Sequence, residues 1–425
     1  MTIPALFVVL LAIPVLLSGE FLVKRIRLLS RFNIPAPVVG GLLVSLLVLL
    51  GNLSGAFAAQ FQTNVTARWW TWLVTAEIDW VNAPSKNVNT PFLVAFFTCI
   101  GLNARWELVR RGGVQVLLFW GAAGVLAVMQ NGIGVALAKL LDVSPLLGLA
   151  CGSVTMTGGH GTALGFAADL EKAGLPTAAV VGMAAATFGL VSGGLIGGPV
   201  GGSLIRRRNL KPGTSAQIHL EAGSAGASGI LKDLRLLAGF GRPFLAHLLL
   251  LLACIKAGAW VSYFIQQTGL TFPVYMGAML LGVGVRNLLD ASRRPWADSE
   301  IIDTLAAVSL GVFLAIAMMS LNLIELANTA LPMLIILAVQ VVVMALYAWF
   351  VTFRLMGRDF EAAVMAGGHC GFGLGATPNA VANMKALVES FGPAPRAFLV
   401  VPVVGAFLID FVNALNITFF INLLK

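Results

Sequence analysis

Long apolar stretches run the length of this chain, parted by short polar segments. No Asp, Glu, Lys or Arg occurs within 1–19, 32–67, 87–104, 112–138, 143–168, 173–205, 243–255, 257–285, 304–324, 326–353 or 362–384, and 397–424 is broken only by Asp410. About 20 apolar residues in helical form cross a bilayer. Helix punctuation divides the longer stretches. It predicts full spans at about 3–19, 34–53, 90–104, 112–138, 176–203, 243–266, 270–287, 304–321, 327–353 and 397–423. Two further apolar segments, about 145–168 and 362–384, are glycine-rich and unlike these ten.

Composition fits a membrane protein. Of 425 residues 58% are hydrophobic and 11% charged, and mean hydropathy is +0.92. A soluble domain is roughly 25% charged. These figures exclude an ordinary soluble enzyme, a disordered chain and a disulfide scaffold. The net charge of +9 does not indicate nucleic acid, because a basic excess in a membrane protein collects in cytoplasmic loops. Cys99, Cys151, Cys254 and Cys370 all lie in apolar runs without a C-x-x-C pair, which weighs against metal or disulfide readings.

The basic residues set the orientation. Lys24, Arg25, Arg27 and Arg31 follow the first span and none precedes it, the reverse of a signal peptide. The N-terminus is therefore expected outside and 24–31 in the cytoplasm. Loop 54–89 then lies outside, 105–111 inside and 139–144 outside. Loop 204–242 carries Arg206, Arg207, Arg208, Lys211, Lys232, Arg235 and Arg242, so it must be cytoplasmic. The 176–203 helix then runs inward, and segment 145–168 enters and leaves on the same side as a re-entrant hairpin. The second half repeats the pattern, with segment 362–384 returning to the inside. The C-terminus finishes outside. This arrangement puts 21 basic residues in the cytoplasm and six elsewhere.

The chain thus reads as an all-α integral membrane protein with ten transmembrane helices in two inverted five-helix repeats. Residues 1–203 form one repeat, 204–242 a cytoplasmic linker with the Ala222–Gly229 tract, and 243–425 the other. Each repeat carries a hairpin between its fourth and fifth helices. Phe32-Asn33-Ile34-Pro35 pairs with Leu270-Thr271-Phe272-Pro273, and Gly158-Gly159-His160 resembles Gly367-Gly368-His369. Matching these triplets gives an offset of 209 residues. Matching Gly152, Gly158 and Thr162 to Gly367, Gly373 and Thr377 gives 215, which retains more of the hairpin.

Inverted repeats with interrupted, glycine-rich segments point to a secondary transporter, whose substrate sits between broken helices near the midplane. Half-helix N-termini suit an anion, and exposed carbonyls suit Na⁺ or a proton. No Walker A motif is present, so an ion gradient or passive flow is the expected driving force. The first hairpin offers Ser153, Thr155, Thr157, Gly158, Gly159, His160, Gly161 and Thr162 as substrate-binding residues, and the second offers Gly373, Gly375, Thr377, Pro378, Asn379 and Asn383. Pro378 opens a helix with Thr377 as its cap. Close helix packing by small residues is the competing reading. His160 and His369 read as hydrogen-bonded braces rather than metal ligands. Asp410, an intramembrane carboxylate, and Asn413 on the same helix face form a candidate sodium site. Gln130 and Asn131 either line the path or bond across helices, and the second reading is favoured. Lys256 is expected to snorkel outward. Glu20 sits beside Lys24 at the interface. Trp69, Trp70, Trp72 and Trp80 read as interface anchors.

Gly158-Gly-His-Gly-Thr162 and the long segment Gly367–Met384 resemble the signature segments of the bacterial sodium/glutamate symporter family. The layout of two inverted halves with hairpins is similar over nearly the whole chain. The resemblance implies Na⁺-coupled uptake of L-glutamate across a bacterial inner membrane. It also implies a homodimer and elevator-like movement of a hairpin-bearing domain. Alternatives from the residues alone are a sodium- or proton-coupled carrier of a dicarboxylate or tricarboxylate such as citrate or malate, and an intramembrane enzyme using a hairpin histidine. No second catalytic group stands near either histidine, so no enzyme activity is expected.

Overall fold

In a computed structural model the described residues are 2–31, 34–55, 60–66, 68–76, 86–212, 230–239, 241–268, 273–292, 298–321 and 329–424. Trp80, the Ala222–Gly229 tract, Phe32, Asn33 and the Leu270–Phe272 stretch lie outside them, as does the side chain of Trp69. The fold is α-helical. Its only described strands are four of two residues each, forming two pairings near the N-terminus and in 60–87.

Among the described residues eight helices are long and apolar enough to cross a membrane: Ala5–Arg25, Ala36–Ser54, Gly112–Leu140, Ala178–Arg207, Arg242–Gln266, Ser299–Met319, Ala330–Leu355 and Pro395–Leu424. In Ala36–Ser54 the buried positions include Gly40, Gly41, Ser45 and Gly51, while Leu46, Leu47, Leu50 and Leu53 are exposed. Small residues let helices approach closely, and large apolar ones suit a lipid face. The expected spans at 90–104 and 270–287 appear as Thr90–Asn103, a shorter apolar helix, and Val274–Ala291, which is not among the eight. Val274–Ala291 runs past the expected end at 287 and carries Arg286 inside it. Arg286 is buried and pairs with Asp290 at 3.2 Å.

The described chain forms two compact units, each drawn from both sequence halves. The first comprises Met1–Ser30, Pro35–Arg105 and Ala227–Ile324. Two helix pairs inside it close on glycine. A methyl group on Gly19 would strike the Ala36 carbonyl, and one on Gly40 the Val15 carbonyl. A methyl group on Gly258 would strike Ala278, and one on Gly277 the Gly258 carbonyl. Pro35 and Pro273 stand at the N-caps of Ala36–Ser54 and Val274–Ala291 in near-identical extended conformations (φ −60°, ψ 134° and φ −59°, ψ 142°). Phe97 stacks on Tyr275 at 3.9 Å, and the Ser45 hydroxyl donates to the Met318 carbonyl.

Lys256 of the first unit reaches the 68–76 segment, part of the loop 54–89 expected outside. Its ammonium donates to the carbonyls of Trp72 (2.9 Å) and Thr75 (2.8 Å) and lies 4.1 Å from the centre of the Trp72 ring. Such acceptors and an aromatic face stabilise a half-buried ammonium.

The second unit comprises Arg31–Ile34, Trp106–Gly226 and Glu325–Lys425. It contains both glycine-rich segments, and each is broken. The first is the short helix Pro145–Ala150, a turning tip at 151–158 and the helix Gly159–Lys172. The second is Phe360–Gly373, a break at Leu374–Ala376 and Thr377–Phe391. Both lie on Ala178–Arg207, whose glycines at 189, 193, 197 and 201 form a stripe one turn apart. A methyl group on Gly189 would strike the Leu374 carbonyl. On Gly193, Gly197 or Gly201 it would stand 2.9, 2.6 or 3.0 Å from the carbonyls of Cys370, Gly367 and Ala363. The stripe lets the first arm of the second hairpin lie backbone to backbone on this helix.

Candidate functional site

The site is built inside the second unit, where the two hairpin tips meet. Gly159 adopts φ +62°, and a methyl group there would stand 2.5 Å from the Gly375 carbonyl oxygen. Both the left-handed backbone and the close approach require glycine. Gly159 opens one helix and Thr377, two residues beyond Gly375, opens another. Two helix N-termini therefore converge on the junction. Each end carries a partial positive charge, although the Gly159 N–H is taken by the Thr155 carbonyl (3.0 Å), the Asn379 N–H by the Ala376 carbonyl (3.0 Å), and Pro378 has no N–H. Neither 145–168 nor 362–384 contains a Lys or Arg, so the backbone is the source of positive potential there.

The tip of the first hairpin is held by amide side chains. Asn131 Oδ1 accepts from the Ser153 N–H at 2.7 Å, and Asn413 Nδ2 donates to the Ser153 carbonyl at 3.0 Å. Asn416 Nδ2 reaches the Ser153 hydroxyl at 3.4 Å. Thr157 Oγ1 donates to Gln130 Oε1 at 2.7 Å. His160 Nε2 meets Thr187 Oγ1 at 3.0 Å, and that hydroxyl donates to the Met183 carbonyl. The Thr187 oxygen is therefore the acceptor and His160 Nε2–H the donor.

The second hairpin is held by both flanking spans at places where their helices widen. Ala330–Tyr347 continues through a π-helical turn at Ala348–Thr352, and Pro395–Val403 through another at Val404–Leu408. Such bulges leave backbone groups without their usual partners. Thr352 Oγ1 pairs with His369 Nδ1 at 2.8 Å, and Thr377 Oγ1 donates to the Gly405 carbonyl at 2.6 Å. Trp120 Nε1 donates to the Leu408 carbonyl at 2.8 Å. At the hairpin base, Asp359 caps the first arm through Ala362 N–H (2.8 Å) and takes both 2.6 Å bonds from the Arg396 guanidinium. Glu361 accepts from the N–H groups of Ala397 (2.9 Å) and Arg396 (3.3 Å). Burial raises the Glu361 carboxyl above the ordinary range, and those two N–H groups partly oppose the shift.

The sodium/glutamate symporter family matches residues 1–75 and 69–393. Sodium/glutamate symporters of Escherichia coli (strain K12) and Shigella flexneri are each 40% identical over 419 residues, covering 96% of this chain and 95% of each relative. That of Haemophilus influenzae is 40% identical over 405 residues, 95% of this chain and 94% of its own. This chain belongs to the sodium/glutamate symporter family. Members of this family are transporters, not enzymes.

In this symporter-family member the structure sorts the expected site residues. Gly158, Gly159, Gly161, Gly375, Thr377 and Pro378 lie at or beside the junction of the tips. Thr162 is buried against Gly158. The Thr155 hydroxyl is spent on the Ala150 carbonyl (2.8 Å), and Asn383 Nδ2 on the carbonyls of Gly193 (2.9 Å) and Gly367 (3.3 Å). Thr377 is not the cap of its helix. It is the first helical residue, Ala376 is the cap, and the threonine hydroxyl turns instead to the carbonyl freed by the bulge in the last span. Both histidines act as braces, as the sequence reading favoured.

Several buried polar atoms have no partner among the described residues: Asn413 Oδ1, Asn379 Oδ1, Gln340 Oε1, Asn131 Nδ2 and His369 Nε2. Asn379 Nδ2 is held by the Leu190 carbonyl at 2.6 Å, which turns its free oxygen away from that helix. Sequence reasoning passed over Gln340, Asn416, Thr352 and the glycine stripe, and gave Gln130 and Asn131 a minor role. Each polar residue was visible as an interruption of an apolar span. Nothing in the sequence says which neighbour it meets.

Proposed function

We propose that this chain couples Na⁺ entry to uptake of L-glutamate, with the anionic cargo held where the two hairpin tips meet. One observation supports this reading: two helix N-termini converge where the tips of two segments that contain no Lys or Arg meet. A dicarboxylic amino acid has one carboxylate for each. An N-terminal dipole contributes about 0.3–1 kcal/mol to an exposed anion and up to about 2 kcal/mol in a partly buried one. The free Asn379 oxygen suits the ammonium group. Ser153, Thr157, Gly158, Gly159, Gly161, Gly373, Gly375, Thr377 and Pro378 frame the cargo. Thr155, His160, Thr162 and Asn383 hold that frame in shape.

Asp410 and Asn413 form the sodium site in this reading. Asn413 has given its amide N–H to Ser153, and its buried oxygen is left unpartnered. Asp410, one turn earlier on the same helix, supplies the negative charge. A bound Na⁺ there would steady Ser153 and hence the first tip.

The architecture belongs to the same proposal: ten membrane segments in two inverted halves, with the broken segments re-entrant. The hairpin arms have six, 14, 14 and 15 residues. At ~1.5 Å per residue none crosses a ~30 Å core. The first arms begin at Pro145 and Phe360, 215 residues apart, which favours that register over 209. The glycine-closed pairs at Gly19/Gly40 and Gly258/Gly277 add a second correspondence. Alternating access would be an elevator movement of the hairpin-bearing unit in a homodimer, in a bacterial inner membrane with both termini periplasmic.

Uptake of labelled glutamate into proteoliposomes tests the function. An inward Na⁺ gradient should drive accumulation, and replacing Na⁺ by K⁺ should abolish it. Equal uptake in K⁺ would remove the coupling claim. Stronger competition by citrate or malate than by glutamate would move the cargo to those acids.

A further inference from the structure

We infer that Gln130 is the residue through which the two hairpins sense one another, and so a positioning residue for ion–substrate coupling. The inference rests on the transport reading above and concerns how its two sites communicate. Gln130 lies on Trp106–Leu140 and is fully buried. Its two amide atoms go to different hairpins. Oε1 accepts from Thr157 in the first tip at 2.7 Å, and Nε2 donates at 2.8 Å to the Gly373 carbonyl at the end of the second hairpin's first arm. Its own backbone carbonyl accepts from Gln340 Nε2 at 2.7 Å.

The orientation of this amide is fixed by its partners. Turning it over would set Oε1 against the Gly373 carbonyl oxygen, two acceptors with no proton between them. Gly373 ends a helix, so its carbonyl is one of the four that lack an intrahelical donor. Gln130 supplies that donor only while Thr157 sits where the first tip now holds it. A buried donor or acceptor left unpaired costs about 1–3 kcal/mol, so displacing either hairpin alone is unfavourable.

A chain of contacts then joins the two ends of the site. Asn413 holds Ser153, four residues along the tip Thr157 holds Gln130, and Gln130 holds Gly373, four residues before Thr377. A cation that steadies the first tip would favour the conformation of the second that presents its helix N-terminus. Coupling of this kind is a differential free energy between two sites and is reciprocal.

The test compares glutamate affinity in Na⁺ and in K⁺ for the purified full-length protein, with the ratio as readout. Three variants are needed. Gln130→Met keeps the volume and removes both hairpin bonds. Gln130→Leu removes both hairpin bonds with a different side-chain shape, and it serves if the first variant fails to fold. Gln340→Met removes the bond to the Gln130 backbone and leaves both hairpin bonds in place. Wild type should show a ratio of about tenfold or more. The ratio should fall toward one in both Gln130 variants and persist in Gln340→Met. An unchanged ratio in the Gln130 variants, or an equal fall in Gln340→Met, would overturn the inference. A wild-type ratio of one would instead sink the sodium-coupled reading itself.

Discussion

Asn413 shows what a single amide can do at this depth. Its N–H group is committed to the Ser153 carbonyl, and its oxygen is buried without a partner among the described residues. An unpaired acceptor in low dielectric is costly unless something fills the vacancy. Asn413→Ala should therefore raise the Na⁺ concentration for half-maximal uptake by about tenfold, at a cost of roughly 1–2 kcal/mol. Asp410→Asn should raise it at least as far, because the carboxylate's charge is lost. Measuring uptake against Na⁺ at fixed glutamate separates this from a loss of substrate affinity. If both variants keep the wild-type Na⁺ dependence, the ion does not sit here. A residue of another kind, Glu361, carries a pH signature. Its raised value means the folded state holds the proton more tightly than the unfolded chain. Its contribution to stability therefore falls as pH rises from the ordinary glutamate range through the raised value. The difference in melting temperature between wild type and Glu361→Gln should shrink as pH is lowered through that window. A difference that widens would reverse the sign.

At the scale of the element, the glycine stripe and the two bulges explain how irregular backbone survives in an apolar setting. Gly197 faces Asn383 and the Gly367 carbonyl at backbone distance. Gly197→Ala should destabilise the protein by about 1–3 kcal/mol, since neither backbone can yield without moving the hairpin. A melting curve in detergent reads this directly, and Gly198→Ala, where a methyl group meets open space, is the matched control. Much of this level was legible in the sequence. Hydrophobic runs placed the long helices to within a few residues, and glycine-rich runs marked both broken segments. What could not be read were the cap before Thr377 and the run of a helix past Arg286. The Thr377 hydroxyl turns to a carbonyl beside a π-helical turn, and the buried Arg286 pairs with the exposed Asp290; neither leaves a pattern in the hydrophobic period. For Lys256 the sequence shows an ammonium in the outer half of an expected span, not the two carbonyls and the indole that receive it.

For the whole molecule, each compact unit takes a contiguous block from both halves of the sequence. Both hairpins, the glycine-striped helix and the last span fall in one unit. The site can therefore keep its shape within a single compact body, which is what movement of a loaded domain requires. The account depends on both broken segments dipping into the bilayer and returning to the side they left. Single cysteines introduced into a cysteine-free background at Asp142, Gly174, Gly357 and Gly392, labelled with a membrane-impermeant maleimide in intact and everted vesicles, test that directly. Asp142 and Gly174 should label together from the outer face, and Gly357 and Gly392 together from the inner face. If Asp142 and Gly174, or Gly357 and Gly392, label from opposite faces, the segments are full spans and the junction of their tips is not the site.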